Sequence, residues 1–260
     1  MQAFQYQYRS DECHSGTDLC QTGKKNLRTV AGISPEHISA YSLIIEEGTP
    51  FGERKLKLPD EDTEYRMYEN TAGILEEYGF HQYEISNYAK GGRECRHNKG
   101  YWQRIDYLGL GLGASSLLDH MRFSNTADMK EYIGNSAFPD KIRQNMESLT
   151  EADEMAEFMF LGLRMTEGVS MEAFAEYFGK NMENVYGEVL KKHLEIGMLE
   201  QKGDRIYLSR KGIHVSNGVM ADFCCRKICR FFHLDERMFW QYTDKKSEVL
   251  QQNKRGRFCC

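Results

Sequence analysis

The stretch from Glu94 to Asn125, ECRHNKGYWQRIDYLGLGLGASSLLDHMRFSN, decides how the rest of the chain is read. It carries an aromatic pair, Tyr101 and Trp102, a short apolar strand at Tyr107 and Leu108, and glycine at three alternate positions, Gly109, Gly111 and Gly113. Glycine at every second position strips side chains from one face of the chain, so backbone N–H and C=O groups can approach a ligand closely. The same spacing fits a loop that needs glycine only to turn, and a glycine run alone does not choose between the two. His97 lies two residues from Cys95. One His and one Cys make an incomplete metal site, and a hydrogen-bonded structural histidine explains the residue better. Tyr101 and Trp102 can stack on a flat ring or simply fill the end of a fold, and size does not separate those roles.

Working outward, 260 residues suffice for one large domain or two smaller ones with a sizeable core. The net charge of −5 argues against nucleic acid or an anionic membrane as a partner, because both attract clustered Lys and Arg. No apolar run approaches the roughly 18 residues of a membrane span, and the first residues lack a charged-then-apolar leader pattern. The expectation is a cytoplasmic protein without a transmembrane segment. Eight cysteines raise the question of a disulfide scaffold or a metal site. Cys13 and Cys20 lie near the start, Cys224, Cys225, Cys229, Cys259 and Cys260 near the end, and only Cys95 in the body.

Residues 1–26 match neither helix nor strand periodicity. From Leu27 the pattern becomes regular: the end of a helix at Leu27–Ala31 is stopped by Gly32, and a strand follows from His37 to Ile45, almost wholly apolar as a parallel strand buried on both faces should be. A helix is expected over Glu61–Tyr78, with an acidic first turn and an apolar face of Tyr65, Tyr68, Ala72 and Leu75. A strand, Gln82–Ser86, completes one αβ unit. Beyond the central stretch come a short helix at Ala127–Ile133 and a connector through Pro139. Thr150 and Asp153 form a capping box before the apolar face of Met155, Phe158, Met159 and Leu163. Helices over Val169–Phe178 and Met182–Ile196, a hairpin over Leu199–Leu208 and a last helix over Ser209–Phe223 describe helices followed by a wing. After Phe223 the chain turns abruptly basic and cysteine-rich.

The string CRHNKGYWQRIDYLGLGLGAS, Cys95 to Ser115, resembles the segment that closes the radical-SAM barrel of HemW-type haem chaperones, relatives of oxygen-independent coproporphyrinogen III oxidase. The likeness extends to HISAYSLIIEEGTPF (His37–Phe51), YEISNYA (Tyr83–Ala89), RFSNT (Arg122–Thr126) and EFMFLGLRMTEGVS (Glu157–Ser170), and spans roughly residues 27–223. It implies an α/β fold: the C-terminal part of a TIM-like radical-SAM barrel over 27–148, then a small winged-helix-like α+β domain over 149–223. In intact relatives it implies a [4Fe–4S] cluster and SAM. It makes Tyr41, Ser42 and Ile44 candidate neighbours of SAM, although core packing is the better reading of each, and gives Gly111, Gly113 and Ala114 a main-chain approach to SAM. His97, Tyr101 and Trp102 become candidates for binding haem or a porphyrin. The chaperones commonly have histidine where this chain has Ser115, which puts a ligand role there in doubt.

The family holds its cluster with a CxxxCxxC run, and this chain has none. Radical chemistry is therefore not expected of the chain itself. Residues 1–26 also depart from the family, which has a strand and a glycine turn here, of the form NINIDLMSALPGQT. Codons permitted for Gln5 to Gly23, read one nucleotide later, give NINIDLMSAIPGQT followed by CARQEK, so this segment is read as an out-of-frame translation with the frame change near Lys24 and Lys25. The tail, 224–260, is of doubtful origin: a second frame error or read-through explains it, a metal-binding tail being the alternative. The functional expectation is a fragment of a haem-handling protein whose partners are haem or porphyrin and haem-accepting proteins. A winged-helix nucleic-acid binder and an inactive fragment that only interacts with a partner are the alternatives. The Met182–Ile196 helix mixes Glu183, Glu188 and Glu195 with Lys191 and Lys192, which suits a solvated face better than a DNA reader.

Overall fold

The computed structural model describes residues 3–8, 19–42, 45, 48–50, 52–53 and 59–224. Its compact units divide between Lys99 and Gly100. The first unit starts with strand β1 (Ala3–Tyr8), helix α1 (Leu19–Gly32) and strand β2 (His37–Ser42). Helix α2 (Glu61–Glu77) and strands β3 (His81–Glu84) and β4 (Asn87–Ala89) follow, and helix α3 (Arg96–Trp102) runs across the division.

β1 and β2 pair in parallel through the α1 crossover, whereas β2 pairs antiparallel with β4 and β4 with β3, giving the order β1-β2-β4-β3. The expectation of one further αβ unit is corrected here. Ile85 and Ser86 form a turn, so the strand expected at Gln82–Ser86 ends at Glu84 and returns as a hairpin. The core of this sheet is Leu27, Ala31, Ile38, Ala40, Ile74, Leu75, Phe80 and Tyr88. α2 begins where expected, with Asp60 accepting from the Thr63 N–H, and closes at Gly79, whose φ of +80° suits glycine. Of the expected apolar face, Leu75 is fully buried, Ala72 packs against the core and Tyr68 is half-buried, while Tyr65 is exposed; Met67, Thr71 and Ile74 complete the buried side. Residues 1–26 match neither periodicity, yet the described ones among them, 3–8 and 19–26, lie in β1 and the first turns of α1.

The second unit opens on a loop and an antiparallel sheet, β5 (Ser115–Leu118), β6 (Met121–Asn125) and β7 (Arg143–Ser148), in the order β5-β6-β7. Between β6 and β7 lie α4 (Met129–Asn135), capped by Asp128, and α5 (Pro139–Ile142). The expected strand at Tyr107 and Leu108 reduces to a single bridge between Tyr107 and Leu117. Thr150 and Asp153 form the expected capping box on α6 (Glu151–Gly162). β8 (Val169–Ser170) takes the first two positions of the expected next helix, because Val169 and Ser170 pair with Ile206 and Arg205; α7 (Met171–Phe178) and α8 (Met182–Glu195) follow. β9 (Leu199–Lys202) and β10 (Arg205–Leu208) make the hairpin, and the sheet order is β8-β10-β9. The last expected helix breaks at Val215 into α9 (Arg210–His214) and α10 (Ser216–Ala221).

Candidate functional site

The main chain of the glycine run is fastened to β5 and to the end of β6. The Gly109 N–H donates to Ser116 Oγ at 3.0 Å. Asn125, only 8% exposed, donates from Nδ2 to the carbonyls of Gly109 at 3.1 Å and Gly111 at 2.9 Å. Its N–H donates to the Ala114 carbonyl at 2.9 Å, and the Gly113 N–H donates to the Thr126 carbonyl at 3.0 Å. The three glycines have different reasons to be glycine. A Cβ on Gly109 would stand 2.2 Å from the Ser115 carbonyl oxygen, so packing forbids it. Gly111 and Gly113 have φ of +111° and +66°, with no heavy atom within 4 Å of a Cβ position. They are glycine for conformation, and the space beside them is open. The leucines between face outward, Leu110 at 85% exposure.

Before the loop, Tyr101 packs edge-on against Tyr107 at 4.6 Å, and the Arg164 guanidinium sits 4.4 Å from the Trp102 ring. A cation over an aromatic face is favourable by about 0.5–1 kcal/mol or more. Both aromatics are half-buried, and Trp102 Nε1 has no partner among the described residues. Burial raises the Tyr107 phenol above its ordinary value.

Beside the loop lies a buried ionic network. Glu157, fully buried, accepts from Arg104 Nε at 3.0 Å and Arg122 Nη2 at 2.7 Å. Glu154 accepts from Arg104 at 3.2 Å and contacts His120 Nδ1 at 2.6 Å. Arg104 and His120 both hold left-handed backbone, φ +55° and +62°. The hydrogen bond and charge of Glu154 raise the His120 pKa. The two glutamates stand three residues apart on α6, one turn of one face, and tie that helix to the loop before the glycines and to the β5–β6 hairpin.

In the first unit, Tyr41 is half-buried and Ser42 exposed at the end of β2, while Ile44 lies outside the described residues. His97 is exposed on α3. A second polar group, unforeseen from the sequence, lies nearby in the chain: buried His37 Nε2 meets the Tyr83 hydroxyl at 2.9 Å. Burial lowers the His37 pKa and pushes Tyr83 up to about 12. Glu94 bridges Lys99 at 2.7 Å and His81 at 2.9 Å, and those bonds hold its carboxyl below the usual range.

Residues 149–215 match the HemN C-terminal domain family. The heme chaperone HemW of Bacillus subtilis is 36% identical over 202 residues, covering 76% of this chain and 53% of that protein. HemW of Lactococcus lactis is 37% identical over 191 residues, covering 72% and 50%. The chain belongs to the HemW/HemN-like family. The fold agrees: the solved coproporphyrinogen III oxidase (HemN) of Escherichia coli, described as a radical SAM enzyme, aligns with a TM-score of 0.67 at 16% identity, over 85% of this chain and 54% of that one. The chain spans about half the length of the curated relatives it matches.

Membership of the HemW/HemN-like family implies a [4Fe–4S] cluster and SAM in intact relatives. The residues here do not fit the cluster. The sequence has no CxxxCxxC, and no group of three His, Cys, Asp or Glu among the described residues can hold a metal ion. The glycine loop does fit a ligand met by main chain: its two left-handed glycines leave space where side chains would stand. Asn125, Glu154 and Glu157 are the residues that sequence reasoning passed over. Glu154 and Glu157 carried a signal, two carboxylates among the apolar positions of one helix.

Proposed function

We propose that this chain contributes the glycine-loop part of a HemW-type radical-SAM protein of haem metabolism. Gly111, Gly113 and Ala114 meet SAM through main chain, with Tyr41, Ser42 and Ile44 as further neighbours, and Tyr101, Trp102 and His97 serve haem or a porphyrin, which is passed to an acceptor protein. When bound in an intact relative, SAM and the cluster supply a radical; this chain's residues bind and orient. The observation that carries this reading is the loop itself, fixed at four residues and open beside Gly111 and Gly113. In the same reading, residues 27–148 are the C-terminal part of a TIM-like barrel and residues 149–223 a winged-helix-like unit, a reading supported by the sheet order β8-β10-β9 beside α7 and α8.

Titrating haem into the full chain while recording the Soret band tests this. A saturable shift, weakened in Trp102→Ala and His97→Ala, is expected; a linear, non-saturating response would remove the haem assignment. Residues 1–26 are read as a shifted frame, and the gene sequence through the codons of Lys24 and Lys25 tests that separately. Codons that exclude NINIDLMSAIPGQT in the next frame would refute it.

A further inference from the structure

We propose that Asn125 is the positioning residue of the glycine loop: its buried carboxamide sets the loop in the shape that receives ligand, without touching the ligand itself. This rests on the reading of the loop as a ligand-facing element. A carboxamide nitrogen carries two hydrogens. In Asn125 both are used, on the carbonyls of Gly109 and Gly111, two residues apart. Two carbonyls drawn to one nitrogen turn the intervening Leu110 outward, where its side chain is 85% exposed. The Asn125 N–H then takes the Ala114 carbonyl, and the neighbouring Thr126 carbonyl takes the Gly113 N–H, so residues 109, 111, 113 and 114 are all fixed from the end of β6. The N–H groups of Leu110, Gly111 and Leu112 have no acceptor among the described residues. They remain for a ligand oxygen, and a carboxylate, which SAM and haem both carry, supplies one.

No other small side chain does the same work. Aspartate has no hydrogen to donate and would set a negative oxygen against two carbonyls; serine offers one hydrogen from a shorter arm. The β6 end is itself fixed: the Thr126 N–H donates to the Ile142 carbonyl at 2.7 Å, and Arg122 on the same strand is held by Glu157 at 2.7 Å. Asn125 thus links a rigid strand to a loop with few side-chain contacts of its own.

The test uses the full chain as wild type, Asn125→Asp, Asn125→Ser and the core control Ile206→Val. Labelled SAM is measured by equilibrium dialysis and haem by its Soret band, with amide hydrogen exchange over 109–114 and thermal unfolding read in parallel. Asn125→Asp should weaken binding of SAM, haem or both by about tenfold or more, the value of two lost hydrogen bonds, and speed exchange across the loop. Asn125→Ser should fall between it and wild type, which keeps the test decisive if Asn125→Asp does not fold. Ile206→Val should lower the melting temperature without changing binding or loop exchange. Loss with SAM alone assigns the loop to SAM, and loss with haem alone to the porphyrin. Unchanged binding in both Asn125 variants, or loss no greater than in a core variant of equal stability, overturns the proposal. If wild type binds neither probe, the reading of the loop itself falls and this inference with it.

Discussion

The Gly109–Ala114 loop and the small core around Phe174 belong to the same unit but are held by opposite means. Phe174 is fully buried, with Phe158, Phe178 and Tyr186 rings 5.5, 4.8 and 6.1 Å away. Its order comes from apolar area, and removing it leaves a cavity. In the loop the leucines face solvent, and order comes from hydrogen bonds between main chain and the buried side chains of Asn125 and Ser116. A region built the first way carries stability. One built the second way keeps its main chain available and carries recognition.

Substitutions should separate the two. The largest effect is expected from Phe174→Ala, about 3–5 kcal/mol of stability in chemical denaturation, with hydrogen exchange over 109–114 unchanged under native conditions. Loop exchange rising with it would show that the two regions are not independent. Glu157→Ala should cost about 3 kcal/mol or more, because it leaves Arg104 and Arg122 buried without their shared partner. Unlike Phe174→Ala, it should also loosen the loop, since Arg104 precedes it and Arg122 shares a strand with Asn125.

Gly109→Ala should cost about 1–3 kcal/mol, since its Cβ meets a backbone oxygen that cannot step aside. Gly111→Ala has room, and its cost, about 1 kcal/mol, comes from the left-handed φ alone. Equal costs would break the distinction between packing and conformation. The smallest effect is a pH dependence. His120 has its pKa raised by Glu154, so the stability it adds is complete below the ordinary 6.5 and is lost as pH rises through the raised value. His37 has its pKa lowered by burial, so its neutral form is favoured, and stability falls as pH drops through 6.5 towards the lowered value. Urea midpoints across that range should slope oppositely in His120→Gln and His37→Gln when each is compared with wild type.

Much of this was legible because local chemistry announces itself. Thr150 caps α6 where the sequence places a capping box, and β9 and β10 pair where the sequence places a hairpin. The β3–β4 hairpin was not legible. Gln82–Ser86 reads as one strand, and only the antiparallel pairing of β3 with β4 shows that the chain reverses before Asn87. β7 was hidden because Arg143–Ser148 is polar and largely exposed, without the apolar alternation that marks a half-buried strand. For the loop, spacing revealed the glycines but not their different reasons. Asn125 was concealed because one asparagine at a strand end carries no periodic signal; its role exists only where β6 passes beside Gly109 and Gly111.

The most direct test is amide hydrogen exchange on the full chain at residues 109–114, without ligand, with SAM and with haem. The account predicts that at least one of the two slows exchange at Leu110, Gly111 and Leu112 while the β9–β10 hairpin is unaffected. Binding of either ligand with no change in the loop would contradict the claim that this main chain is the ligand-facing surface.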